Sequence, residues 1–195
     1  MNEVLYVKYN RTRCKGFQTK VTIEDAGGLL RVRKSPLAPE AACHVKRLDE
    51  SYRSFSDYYN GISLVEYHME GVDAICPFVK GTSLSDIIRE NSGSYEDLVS
   101  EIKDKARLIT DVNDKYIRNF KVTPEFEEIF GRPFGIEDYK DKAFNICNLD
   151  SIFDNFIMGD GGLVAIDYEW MMEVTLPADF VIYRALKMLD RKSVV

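Results

Sequence analysis

Asp150 and Asn155 stand five residues apart around a short apolar loop, LDSIFDN, and Asp167 closes an apolar run, LVAID, twelve residues beyond Asn155. Between them, Gly159-Asp160-Gly161-Gly162 is a tight turn joining two apolar runs, Ile152–Met158 and Leu163–Ile166. Apolar runs joined by a Gly-rich turn predict a small buried hairpin. A chain with this pattern has to bring two carboxylates and a carboxamide together at one end of a hydrophobic hairpin. That demand restricts the fold more than any other feature of the sequence.

The rest of the chain divides by period. Val4–Tyr9, Phe17–Glu24 and Leu29–Lys34 read as strands, the last two joined by the turn Asp25–Gly28, and together they suggest an antiparallel meander. From Pro39 to about Tyr58 the apolar positions Ala41, Ala42, Val45, Leu48 and Tyr52 follow a helical period. Ile62–Glu70 and Val72–Val79 are two further expected strands around Gly71. Lys80–Ser83 is a turn, Ser83 a helix cap for Leu84–Glu90, and Asp86 a favourable first-turn charge. Leu98, Ile102, Ala106, Ile109 and Val112 predict a long helix from Tyr95 to about Phe120. Lys121–Ala143 reads as loop with short helices, and a final helix spans Phe180–Leu189 after Pro177. Strands come first and helices dominate later, so the fold class is α+β with two lobes, residues 1–80 and 81–195.

With 195 residues the chain can bury one sizeable core or two small packed lobes. The formal net charge of −6 argues against non-specific binding to nucleic acid or an anionic membrane. Basic residues still gather locally at Arg11, Arg13 and Lys15 and at Arg31, Arg33 and Lys34, which leaves room for a local anion site. The four cysteines, Cys14, Cys43, Cys76 and Cys147, form no CxxC pair, so a zinc site is disfavoured and free thiols in a reducing compartment are expected. The N-terminus lacks the pattern of a signal peptide, and no stretch is long enough to span a bilayer. A soluble cytoplasmic protein is the expectation. The ending RKSVV reads as an arbitrary stop after a helix, as in one module of a longer protein.

Phosphoryl transfer requires a group that orients or deprotonates the attacking hydroxyl, and hard oxygen ligands for magnesium. D-x-x-x-x-N, a hairpin, then D supplies these groups in the order kinases use. Here the sequence resembles the protein-kinase-like superfamily, especially its aminoglycoside and choline phosphotransferase branch, where the pattern is roughly H-G-D-x-x-x-x-N followed by I-D-F/Y-E. IDYEW at Ile166–Trp170 is close to that second motif. The resemblance implies that Asp150 is the catalytic base and that Asn155 and Asp167 are magnesium ligands. It places Lys34 as the phosphate-pairing lysine of the third strand. Glu40 is favoured as its partner on the following helix, with His44 and Glu50 as alternatives. Cys76, Phe78 and Val79 fall in the hinge, whose backbone would hold the adenine of ATP.

NLDSIFDN, IDYEW and FVIYRAL, with the early KYNRTR and FQTKVTI and the later FEEIFG, also resemble kinase-like modules of bacterial surface-polysaccharide (lipopolysaccharide) biosynthesis proteins. That resemblance implies a sugar or other small-molecule hydroxyl as acceptor. Such chains often carry glycosyltransferase or methyltransferase domains as well.

Two departures from the family pattern bear on activity. Asn148 occupies the motif-histidine position, where its amide can still hydrogen-bond the loop backbone. Between the first two strands stands Arg11–Gly16 (RTRCKG) instead of a Gly-rich loop, and its basic side chains are candidates to grip phosphates. Two readings therefore stay open, an ATP- and magnesium-dependent phosphotransferase and a catalytically inactive pseudokinase that binds or scaffolds. A metal-dependent glycosyltransferase is weaker, since no DxD motif is present. Asp154 and Asp160 read as loop and turn residues, Tyr168 and Trp170 as packing, and His44 and His68 as core or surface histidines.

Overall fold

A computed structural model of the chain describes residues 3–131 and 141–191. The small lobe is a five-stranded antiparallel sheet. Its strands are β1 (Glu3–Asn10), β2 (Thr19–Asp25), β3 (Leu30–Pro36), β5 (His68–Glu70) and β6 (Asp73–Pro77), in the order β1-β2-β3-β6-β5. β4 (Ile62–Leu64) precedes β5 in the chain but lies in another sheet. Alternation along β3 separates two chemistries. Arg31 and Arg33 pair with Glu24, Glu70 and Asp73, which neutralises the basic cluster seen in the sequence. Lys34, one residue on, is buried.

Helix α1 (Ala42–Phe55) follows a short 3-10 turn at Pro39–Ala41 and packs on β3 and β6. Val45 and Leu48 are fully buried in one cluster with Ala74 and Cys76. The helix stops at Phe55, short of the expected Tyr58. Tyr58 instead donates its hydroxyl to Ile146 O at 2.9 Å, and the Tyr58 carbonyl accepts from Asn113 N–H at 2.9 Å.

The expected strand Ile62–Glu70 is divided, and the burial pattern gives the reason. Ile62 and Leu64 are buried on one phase of the alternation, whereas Val65 and Tyr67 are buried on the other. A single strand against one core cannot satisfy both phases. β4 therefore leaves the small lobe. It pairs in parallel with β12 (Gly162–Ala165) in a four-stranded sheet completed by β7 (Thr82–Ser83) and β11 (Phe156–Gly159), ordered β4-β12-β11-β7.

The large lobe also contains α2 (Leu84–Asn91), α3 (Tyr95–Ile109), α4 (Pro124–Phe130) and α5 (Ala178–Arg191). Its other strands are β8 (Ile117–Asn119), β9 (Lys142–Phe144), β10 (Cys147–Asn148), β13 (Met171–Met172) and β14 (Leu176–Pro177). Ser83 caps α2 by accepting from Asp86 N–H at 3.1 Å, as its position predicts. α3 ends about ten residues before the expected Phe120. Thr110, Asp111, Val112, Asn113 and Asp114 are β-branched or compete for backbone hydrogen bonds, and both traits disfavour helix. There the Asn60 N–H donates to Asp111 O at 2.9 Å, so the chain docks on residues 58–60 instead. Of the aromatic segment Lys121–Ala143, α4 and the start of β9 are described, while residues 132–140 lie outside the described residues.

The chain leaves the small-lobe sheet after β6 and passes Gly81 before entering β7. Gly81 has φ +154°, and a Cβ there would lie 2.2 Å from Met158 O and 2.8 Å from Ile157 Cγ2. Close approach of the hinge to β11 therefore requires glycine. Gly81→Ala is expected to destabilise the protein by about 2 kcal/mol or more, read as a lowered midpoint of urea unfolding.

Candidate active site

The segment Asn148–Asn155, between β10 and β11, is held by its own side chains. Asn148, buried at 1% exposure, accepts from Asp150 N–H at 3.0 Å and donates from Nδ2 to Tyr59 Oη at 3.2 Å. Tyr59 Oη and Ser151 Oγ are 2.6 Å apart. Asn155 Nδ2 donates to Asp150 O at 3.0 Å, and Leu149 N–H to Trp170 O at 3.1 Å. An amide with both a donor and an acceptor thus organises the loop from the motif-histidine position.

The hairpin β11–β12 brings the second half of the motif alongside. Ile166 N–H donates to Asn155 O at 2.9 Å, which fixes Asp167 next to the loop. Tyr67 donates its hydroxyl to Ile166 O at 3.0 Å, and Tyr168 donates its own to Val65 O. Carboxylate oxygens of Asp150, Asp167 and Glu169 lie within 4.8 Å of one another.

Lys34 enters this cluster from β3. Its Nζ is 2.8 Å from Asp167 Oδ1 and 2.9 Å from Glu169 Oε2. Glu40, the expected partner, is exposed at the start of the helical segment, and Glu50 pairs with Lys46 at 2.7 Å on the solvent side of α1. Glu169 takes the partner role instead. It lies two residues after Asp167, in a turn closed by Met171 N–H donating to Tyr168 O at 3.2 Å. That spacing was the signal in IDYEW that could have identified it. His44, the other alternative, faces Glu169 rather than Lys34. Its Nε2 is 3.2 Å from Glu169 Oε1, within ion-pair distance but outside hydrogen-bond geometry.

Arg13 arrives from the turn between β1 and β2, where its Nη1 is 2.5 Å from Glu169 Oε1. The turn is fixed by Gln18, whose Nε2 donates to Arg11 O at 3.1 Å and Arg13 O at 2.8 Å. Phe17 packs against His44 and Trp170, with ring centroids 5.0 Å from each. Arg11 lies over the Tyr9 ring instead. On the opposite side Arg184 of α5 donates from Nε to Leu149 O at 2.7 Å and holds Nη2 3.6 Å from Asp150 Oδ1. Arg184 does not stand out in the sequence as a functional residue; α5 is an ordinary amphipathic helix there.

Electrostatics divide the three acids. Burial acts to raise the Glu169 carboxyl, but Lys34, His44 and Arg13 hold it far below the usual carboxylate range. Burial pushes Asp150 up to about 7, with the Asp167 and Glu169 charges adding to it. Asp167 is also raised, by burial first, against the opposing pull of Lys34. For Lys34 burial acts downward, and Asp167 and Glu169 outweigh it, so the ammonium stays charged. Both Glu169 oxygens are spent on cations. Asp167 Oδ2, Asp150 Oδ2 and Asn155 Oδ1 have no hydrogen-bond partner among the described residues. Such hard oxygen donors suit magnesium.

At the hinge, Cys76 is buried in register with Val32, and burial pushes its thiol up to about 11. Phe78 N–H donates to Leu30 O at 3.0 Å and Pro77 has no N–H, while Val79 N–H has no partner among the described residues. The hinge thus offers one backbone donor.

This arrangement is an α+β, two-lobed protein-kinase-like fold. Among solved structures, the chain is similar to aminoglycoside phosphotransferase APH(2'')-Ib in its ADP-bound form, with a TM-score of 0.54 and 11% identity over 98% of this chain and 79% of that one. It is likewise similar to APH(2'')-IIa in its gentamicin complex, with a TM-score of 0.52 and 11% identity over 97% and 78% of the two chains. At such identity the likeness is one of fold. No protein-family model and no curated protein matches the chain. No helix among the described residues is long and apolar enough to cross a membrane.

Removing one partner of a buried ion pair leaves the other uncompensated. Glu169→Gln is expected to cost about 3 kcal/mol of stability in denaturant unfolding. Glu40→Gln should leave the unfolding midpoint unchanged within error. The reverse order would return the role of Lys34's partner to Glu40.

Proposed function

We propose that the protein is an ATP- and magnesium-dependent phosphotransferase acting on a hydroxyl of a sugar or another small molecule. The observation that carries this reading is the meeting of Lys34 from β3, Asp150 and Asn155 from the loop before β11, and Asp167 after β12 within a kinase-like fold. In this reading the nucleotide lies between the two lobes, which hinge near residue 80, with its adenine against Cys76, Phe78 and Val79. Val79 N–H supplies the hinge hydrogen bond. Asn155 and Asp167 would hold magnesium, which when bound neutralises charge on the phosphates. Asp150 orients the acceptor hydroxyl and receives its proton, a task suited to a carboxyl whose affinity for protons lies near neutrality. Lys34 exchanges part of its contact with Asp167 and Glu169 for nucleotide phosphate oxygens.

The finer setting we infer from sequence resemblance alone: surface-polysaccharide or lipopolysaccharide biosynthesis in the cytoplasm, where ATP is available, alongside glycosyltransferase or methyltransferase domains. A second reading, a pseudokinase scaffold, draws support from one observation. Arg13 and Lys34 are both already paired, in a lobe without a Gly-rich loop.

Thermal-shift titration with ATP, with and without magnesium, separates the two readings. The phosphotransferase is expected to be stabilised by ATP with magnesium, and Asp167→Ala to lose that stabilisation together with ATP turnover. Asp150→Ala should keep nucleotide binding while transfer falls by about a hundredfold or more. Absence of any shift in the parent protein would leave the scaffold reading in place.

A further inference from the structure

A second cavity feature lies beside the carboxylate cluster. Arg13, Leu149, Asp150, Trp170 and Arg184 enclose a space of about 300 Å³ that opens to solvent. Asp150 belongs both to the wall of this space and to the carboxylate cluster, so a molecule in it presents its groups to the proposed base. The charged residues of the wall are two guanidinium groups and one carboxylate.

Both arginines are anchored yet unsaturated. Arg13 spends Nη1 on Glu169, with the guanidinium carbon 5.6 Å from the Trp170 ring centroid. Arg184 spends Nε on Leu149 O and turns Nη2 toward Asp150. Their side chains are 31% and 37% exposed, and Arg13 Nε and Nη2 and Arg184 Nη1 have no partner among the described residues. Anchoring removes most of the entropy that a free arginine loses on binding an anion. The half-buried Trp170 adds an aromatic wall of the kind against which the apolar face of a pyranose packs. Gentamicin, named for one of the fold neighbours, is a polyamine, and a wall of two arginines opposes such a ligand.

We propose that this cavity is the acceptor site and that Arg13 and Arg184 select a sugar bearing an acidic substituent, a carboxylate or a phosphate. The acidic group sits against the outward N–H groups of the two arginines, and a hydroxyl of the same sugar faces Asp150. The inference deepens the phosphotransferase reading, on which it rests for the role of Asp150.

Trp170 is the only tryptophan of the chain, so intrinsic fluorescence reports occupancy of this cavity. The full chain, without nucleotide and with EDTA, is titrated with glucuronate, glucose 6-phosphate, glucose and glucosamine. At least one of the two anions is expected to give a saturable change, with affinity about tenfold or more above that for glucose or glucosamine. Response to glucuronate alone assigns a carboxylate, and response to glucose 6-phosphate alone a phosphate. Arg184→Gln should weaken the preferred anion about tenfold without altering glucose, while Arg184→Lys, which keeps the charge, should retain the preference for anions. Equal affinity for all four sugars, preference for glucosamine, no response to either anion, or unchanged anion binding in a folded Arg184→Gln protein overturns the proposal. A parallel thermal shift with ATP and magnesium separates the two failures. A nucleotide shift without anion binding removes only the acceptor assignment, whereas anion binding without a nucleotide shift removes the phosphotransferase reading.

Discussion

The contact of Lys34 with Asp167 and Glu169 holds the architecture together. A buried ammonium needs compensating charge at close range, because desolvation without a partner costs several kcal/mol. Here the compensation comes from the far lobe, after β12, more than a hundred residues along the chain. The sheet of the small lobe is thereby fixed to the segment that carries the motif. Arg13 extends the same pairing to the β1–β2 turn, and Arg184 extends it to α5. Lys34, Arg13 and Arg184 together face Asp150, Asp167 and Glu169, three cations against three acids. Such a balance also stores the contacts that an incoming ligand would exchange.

The loop carrying Asp150 illustrates how a departure from a family pattern can preserve its mechanics. A histidine is the usual residue at position 148 in the resembling families. The asparagine found here accepts from the Asp150 amide and donates to Tyr59, which in turn holds Ser151. What the position requires is a buried side chain that donates and accepts, and an amide meets that requirement. The loop is therefore built to hold its shape, independently of whether it carries out chemistry.

Much of the fold was legible because its signals are local. A short apolar run marked β1, alternation marked β2 and β3, glycine marked the β11–β12 turn, and Ser83 marked the start of α2. The failures came where two requirements competed within one stretch. Ile62–Tyr67 buries both phases of its alternation in one core, so its apolar run looked like one strand. Thr110–Asp114 followed the helical period of α3 at Val112, yet its polar residues close off the helix. For the site, Lys34, Asp150, Asn155 and Asp167 could be named from spacing and resemblance, and they lie near one another through the Lys34–Asp167, Asp150–Asp167 and Asn155–Asp150 contacts. Glu40 is favoured by the likeness of EAACHVKRL to the corresponding helix of the resembling family, but partner choice depends on which carboxylate the fold carries into reach. Arg184 could not be distinguished from any other charged residue on an amphipathic helix.

The amino-acid sequence by itself determined the order of elements, the hairpin and the set of polar residues that a kinase-like site requires. Each of these follows from local period, turn chemistry and residue type. Only the tertiary structure decided that Glu169 would neutralise Lys34 and that Arg13 would close over the cluster. It alone set Arg184 beside Asp150. The reason is physical. Which opposite charges meet in a low-dielectric interior depends on distances between elements far apart in sequence, and no pattern within a single element contains that information.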